Sequence, residues 1–388
     1  MRNITGPPVE GEDFFGREKE IEYVWNRIQN GNNLIFPSPR RVGKTSFAFK
    51  IADLAKQKGW RTVKLNLEKV TSEQKFIELF IDELKNGSQW EKIKDKAASV
   101  IDFLKPSKTS FNVGGAEIEM EWKSKKANVY SQLAALLDHS ADTLIFFDEL
   151  TVLLTSIVEK GENGIKDVTD FLHWLRDLRI TEASKIRWIF CSSVGIENFT
   201  HKHRISDTIN DMHDYSLRSY PKEVSKLMLK NLGDNNDLEM TDAMQEAIVS
   251  KLDYCLPYFL QIIFEKIKNL VAIDGLVLDA AIVNTAYNAL SEEKHFNTWV
   301  ERIEEQYEDN QKYAFSILRH ICQEHSGSKR ENLQNVLVKA GLEAEAADHS
   351  VSLLIYMLTN DGYLFEENRL YRFRSPLLRD FWFNRFVK

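Results

Sequence analysis

Residues 32–45, NNLIFPSPRRVGKT, constrain this chain more than any other stretch. Leu34, Ile35 and Phe36 make a short apolar run, Pro37 and Pro39 break it, and Gly43-Lys44-Thr45 follow. A helical pattern comes next, carried by Phe47, Phe49, Ile51, Ala52, Leu54 and Ala55 and closing near Gly59. Strand, tight loop, GKT and helix is the context a phosphate-binding loop requires. Backbone N–H groups of such a loop and of the first helical turn point at phosphate oxygens, and the helix dipole adds partial positive charge. Lys44 then places an ammonium on the outer phosphates and the Thr45 hydroxyl ligates Mg²⁺, with Arg40, Arg41, Val42 and Ser46 around them. The full pattern begins with glycine, which gives the loop its unusual backbone; Ser38 stands there instead.

A second stretch, TLIFFDE at 143–149, reads as a buried strand ending in two carboxylates. Parallel α/β sheets bind ligands at the carboxyl ends of their strands. Asp148 is therefore a candidate Mg²⁺ ligand and Glu149 a candidate to polarise an attacking water. Acids at the start of a following helix would also favour its dipole without any catalytic role. A third strand, IRWIFC at 186–191, ends in Ser192 and Ser193, either of which suits a hydrogen bond to a γ-phosphate or water, or simply a polar turn.

The whole chain sets outer bounds. Its 388 residues suffice for two or three domains. A net charge of −7 gives no global basic field to attract nucleic acid. No apolar run reaches the length of a membrane span, and the N-terminal residues lack a signal-peptide core, so a cytoplasmic protein is expected. Cys191, Cys255 and Cys322 lie far apart and read as reduced core thiols. The histidines show no metal-ligand spacing, so Mg²⁺ would arrive with a nucleotide.

Periodicity predicts an α/β core over residues 1–204, with strands and helices alternating into a parallel sheet covered on both faces. Residues 108–125 interrupt it. The alternation in TSFNVGGAEIEMEW predicts a β-hairpin, either inserted, mobile and acidic or on the edge of the main sheet. From about residue 205 strands are no longer expected. Residues 205–290 read as a helical unit, with Pro257 opening one helix. Residues 291–388 read as three helices and a hairpin tipped by Glu366-Glu367-Asn368, the order of a winged helix.

These residues resemble the AAA+/STAND class of P-loop ATPases, and within it the archaeal-type ATPase group related to replication-origin loader ATPases. The features are FFGRE at 14–18, PRRVGKTS at 39–46, LIFFDE at 144–149, CSSVG at 191–195, LPYFLQ at 256–261 and the ending DGYL…YRFRSPLLRDFW. The resemblance implies ATP/ADP with Mg²⁺ as cofactors. Phe15, Gly16 and Arg17 would line the adenine site, and Gly43, Lys44 and Thr45 would hold phosphates and metal. Asp148 would bind Mg²⁺, Glu149 would polarise water, Ser193 or Ser192 would serve as first sensor, and Pro257 would lie in the lid over the nucleotide. LPYFLQ lacks the arginine many relatives use as a second sensor. A finger offered to a neighbouring copy is sought on WLRDLRI, where Arg176 and Arg179 share a helix face, unless they form a solvated basic face beside Asp177.

The expected activity is Mg²⁺-dependent ATP hydrolysis that switches a protein partner or a homo-oligomer. The alternatives are a DNA-associated loader or regulator and a non-hydrolysing nucleotide-bound adaptor. Residues 311–388 carry 11 Lys and Arg against 9 Asp and Glu, while the remainder sums to −9. However, the expected recognition helix, about 345–359, has no Lys or Arg, and phosphate contacts dominate DNA affinity.

Overall fold

The computed structural model describes residues 1–37, 41–87, 90–104, 115–160, 163–192, 195–292 and 296–388. They divide into two compact units that interleave along the chain. One takes Glu18–Pro37 and Phe47–Ser216; the other takes Met1–Arg17, Ser38–Ser46 and Leu217–Lys388.

The first unit is built on a parallel sheet. Its strands are β1 (Asn33–Phe36), β2 (Arg61–Asn66), β3 (Thr143–Asp148), β4 (Ile186–Cys191) and β5 (Met212–Asp214), in the order β2-β3-β4-β1-β5. All six residues of β3 are buried. A strand buried on both faces reads as a continuous apolar run, which is why TLIFFD shows no alternation. Helices α1 (Glu18–Gln29), α2 (Lys44–Gln57), α3 (Glu73–Leu84) and α4 (Trp90–Leu104) precede β3. So does α5 (Gly115–Ala134); α6 (Leu150–Lys160), α7 (Gly164–Arg179) and α8 (Ile196–Lys202) come after it. The layer between sheet and helices is aromatic: Phe147 stacks on Phe190 at 5.4 Å, and Phe76 meets Phe147 and Phe171 edge-on at 5.4 and 5.1 Å.

The structure departs from the sequence reading twice here. The predicted hairpin at 108–125 is not formed where it can be seen: residues 115–125 belong to α5, and 105–114 lie outside the described residues. The cause is a buried carboxylate. Trp122, Lys126 and Tyr130 recur every four residues, one helical turn apart, and all three reach Glu73 of α3. The Trp122 Nε1–H donates to Oε2 at 2.7 Å, while the Lys126 ammonium and Tyr130 hydroxyl meet Oε1 at 2.8 and 2.6 Å. Secondly, the sheet does not end before residue 205, because β5 pairs with β1 in parallel.

The second unit is mainly helical. It contains α9 (Lys222–Asp234), α10 (Asp242–Leu252), α11 (Pro257–Ala272), α12 (Ile282–Glu292) and α13 (Asn297–Gln306). Then come α14 (Gln311–Ile321), α15 (Arg330–Lys339), α16 (Ala344–Asn360), the hairpin β6 (Leu364–Glu367) and β7 (Leu370–Phe373), and α17 (Pro376–Phe386). Asn368 and Arg369 both take positive φ (53° and 62°), the two-residue turn whose twist suits a hairpin. Helices α14, α15 and α16 precede the hairpin and α17 follows it. Ser328 bridges to Tyr371, adding a third short extended segment. Below the hairpin, Asp361 accepts from Arg302 at 2.7 Å and from the Tyr307 hydroxyl at 2.8 Å, all three buried. α17 joins this region to α12 through Tyr287 to Asp380 at 2.9 Å and Asn384 to Ser291 at 3.1 Å. No helix among the described residues is long and apolar enough to cross a membrane.

Candidate functional site

The sheet brings three strand ends level. Phe36 pairs with Cys191 and Cys191 with Asp148, so β1, β4 and β3 finish at one edge. Asp148 is the last residue of β3 and is buried. Its backbone carbonyl accepts the Leu67 N–H at 2.9 Å. Glu149, the next residue, is left-handed with φ 57°, a strained conformation for a side chain of this type. Its carboxylate accepts from the Ser192 hydroxyl at 3.3 Å. Ser192 is buried at the end of β4; Ser193, the other candidate, lies outside the described residues. The acidic strand and the serine turn therefore meet as the alternation of elements implied.

The chain leaves this same sheet edge at Pro37 and starts α2 at Lys44. Between them Arg40 lies outside the described residues, with Ser38 and Pro39. Arg41 and Gly43 are both left-handed, at φ 66° and 91°. A Cβ on Gly43 would meet nothing within 4 Å, so glycine is needed there for the backbone and not for room. Val42 and Lys44 are buried, and the Ser46 hydroxyl accepts the Val9 N–H at 2.9 Å.

The N-terminal motif is held against this loop and the start of α9. Gly16 and Arg17 are left-handed, with φ 66° and 75°. Arg17 Nη2 donates to the Arg218 carbonyl at 2.8 Å and to the Val42 carbonyl at 3.4 Å, and the guanidinium lies 4.5 Å from the Tyr220 ring centre. The Tyr220 hydroxyl donates to the Phe15 carbonyl at 2.6 Å. Pro257 is the first residue of α11, whose N-cap Leu256 offers no side-chain acceptor. The next residue, Tyr258, carries the Arg41 guanidinium 4.4 Å from its ring centre. Burial pushes the Tyr258 hydroxyl up, with Arg41 pulling against it. Neither Tyr220 nor Tyr258 was among the sequence candidates. Each lacks a motif signal of its own, and only the fold shows which arginine it faces.

One candidate is ruled out. Arg179 makes a bidentate pair with Asp211, Nε to Oδ2 and Nη2 to Oδ1 each at 2.8 Å, and donates to the Thr208 carbonyl at 2.7 Å. Its side chain is 0 % exposed. A finger for a neighbouring copy must be presented to that copy, and this guanidinium is inside the fold. Arg176 remains partly exposed, with its Nε 3.3 Å from Asn210 Oδ1.

The oxygen types at Thr45 and Asp148 are ones Mg²⁺ accepts. A hydroxyl at Thr45 and a carboxylate at Asp148 are the hard oxygen ligands Mg²⁺ takes, and Mg²⁺ keeps several waters and phosphate oxygens for the rest.

Sheet order, loop position and acidic strand together make this the fold of the AAA+ P-loop ATPases. In particular, the chain matches a Walker-type ATPase of Pyrococcus abyssi over 98% of its own length and 99% of that chain, at TM-score 0.63 and 16% identity. It also matches the ORC2 protein of Aeropyrum pernix, a structure of ADPNP–ADP complexes, over 96% and 95% of the two chains at TM-score 0.56 and 14% identity. No protein-family profile and no curated relative matches the sequence.

Proposed function

We propose that this chain binds and hydrolyses ATP with Mg²⁺ and acts as a nucleotide-dependent switch on a protein partner or on further copies of itself. The observation that carries this reading is the loop itself. A left-handed Gly43 and the N-terminus of α2 at Lys44 follow β1 in the chain, and Asp148 ends β3. Lys44 and the loop N–H groups would bind the phosphates, Thr45 and Asp148 would share the metal, and Glu149 would orient the attacking water. Ser192 supports the last role, since its hydroxyl fixes the Glu149 carboxylate. Phe15, Gly16 and Arg17 would line the base, and Pro257 would begin the lid helix above it.

The partner reading is favoured over DNA by α16 (Ala344–Asn360), the expected recognition helix, which carries no Lys or Arg. Arg372 donates to the Ser326 carbonyl and Glu367, Arg374 to the Leu364 carbonyl, and Arg379 to Asp380. Arg385 bonds to Asn297, and Arg330 to Asp348 and Ser352. These are mostly exposed pairs, which hold weakly, so the absence of Lys and Arg from α16 carries the argument. Duplex DNA titrated by fluorescence anisotropy at low and physiological salt should give little salt-sensitive binding. A steep salt dependence would favour the loader reading.

The main test is a pair of variants. Lys44→Ala should abolish ATP binding. Glu149→Gln should bind ATP and retain it unhydrolysed. Equal turnover by Glu149→Gln and wild type would remove Glu149 from its role, and absent turnover in the wild type with bound nucleotide would favour the adaptor.

A further inference from the structure

Two arginines flank Val42, and each lies on a tyrosine from the C-terminal half of the same unit. Arg17 covers Tyr220 at 4.5 Å and Arg41 covers Tyr258 at 4.4 Å. The tyrosines are themselves linked, because the Tyr220 N–H donates to the Cys255 carbonyl at 2.8 Å, three residues before Tyr258. Both arginines are left-handed, at φ 75° and 66°. Residues with a Cβ avoid that region unless their surroundings hold them there. A guanidinium stacked on an aromatic face is such a hold. The loop's carbonyl at Val42 is also tied, through Arg17 Nη2, to the Arg218 carbonyl just before α9. The division of the fold agrees: Ser38–Ser46 belongs with Leu217–Lys388 and not with the sheet that precedes it. Meanwhile LPYFLQ has no arginine to reach back toward phosphates.

We infer that the Arg17–Tyr220 and Arg41–Tyr258 stacks form a two-point clamp that positions the phosphate loop on the lid helices, so that the lid reads the loop's nucleotide state through tyrosine faces. The inference deepens the ATP-binding reading and rests on it. Its chemistry is reciprocal to the one expected of a lid arginine. Here the cations belong to the loop and N-terminal motif, and the lid supplies their π-faces. The Arg41–Tyr258 stack holds the loop in the shape that receives phosphate, so Tyr258 supports occupancy without touching the nucleotide. Tyr220 and Tyr258 are positioning residues.

The test is a double-mutant cycle with two readouts. Arg41→Ala, Tyr258→Leu and their combination are compared in the full-length, nucleotide-free protein by thermal unfolding. Each single variant should lower Tm by about 2–4 °C, and the double by little more than either alone. Separately, a fluorescent ATP analogue with Mg²⁺ reports affinity. Tyr258→Leu should weaken it about tenfold, while Tyr258→Phe, which keeps the ring, stays within about threefold of wild type. Tyr258→Leu decides the matter, since Arg41→Ala could also lose a phosphate contact. Additive Tm shifts, or Tyr258→Phe as impaired as Tyr258→Leu, would overturn the clamp while leaving ATP binding intact. Coupled Tm shifts among the variants, with no analogue bound by the wild type, would overturn the nucleotide reading instead.

Discussion

Arg179 shows how one residue's role depends on a partner that its local pattern does not reveal. On the helix it looks like half of a basic pair with Arg176. In the fold it is sealed against Asp211, Thr208 and the Phe190 ring. Removing Arg179 leaves the mostly buried Asp211 with only the longer Arg176 contact at 3.7 Å, at about 3–5 kcal/mol. Arg179→Ala should therefore lower stability by that order in a urea titration, whereas Arg176→Ala should leave stability within about 0.5 kcal/mol. If Arg176 is the finger, only its variant should lower hydrolysis in the assembled protein while leaving ATP affinity unchanged. The GKT residues were legible because their chemistry fixes both identity and spacing. Asp211 lies on an irregular segment with no periodicity to announce it, so the pair was not.

Glu246 gives a pH test at the same scale. Lys222, then Lys226, and the Ser250 hydroxyl hold its carboxylate down to about 2, against 4.5 ordinarily. A depressed carboxylate favours the fold above its unfolded pKa. Its contribution is therefore intact above about pH 4.5 and fades as pH falls toward about 2. An NMR titration of the Glu246 side chain should place its midpoint well below those of unpaired glutamates, and Lys222→Ala should raise it.

At the scale of elements, α5 is the instructive case. AEIEMEW alternates, and alternation is the strand signal. Yet Trp122, Lys126 and Tyr130 also fall at helical spacing, and Glu73 rewards only that reading. Tyr130 further stacks on Trp174 at 4.4 Å. A two-residue period and a four-residue period both fit so short a stretch, and the buried carboxylate that decides between them lies far away in sequence. Glu73→Ala should cost about 3–5 kcal/mol by leaving Lys126 in the interior with Asp167 alone. Pairing it with Lys126→Met should restore part of the loss. Additive costs in that pair would mean the cluster does not dock α5. β5 escaped notice for a different reason: in Met212-His213-Asp214 only Met212 is buried, so the strand carries no hydrophobic pattern. By contrast β1, β3 and β4 were legible as apolar runs, and α9, α10 and α11 as periodic helices punctuated by Pro221 and Pro257.

For the whole molecule, nucleotide binding should stabilise the folded state by mass action. ATP with Mg²⁺ at about 100 times its Kd adds about 2.7 kcal/mol. Differential scanning calorimetry should show Tm rising with ATP for the wild type and Glu149→Gln, and unchanged for Lys44→Ala. A Tm that rises equally for Lys44→Ala would place the nucleotide elsewhere.

The interleaving of the two units has a consequence for synthesis. Residues 1–17 and 38–46 emerge from the ribosome well before Leu217, yet they pack with the C-terminal residues 217–388. A nascent chain halted at residue 216 already carries GKT and the acidic strand but lacks both tyrosines that seat the loop. Such a fragment should retain no labelled ATP on gel filtration, so that nucleotide capture begins only once translation has passed into the C-terminal helices.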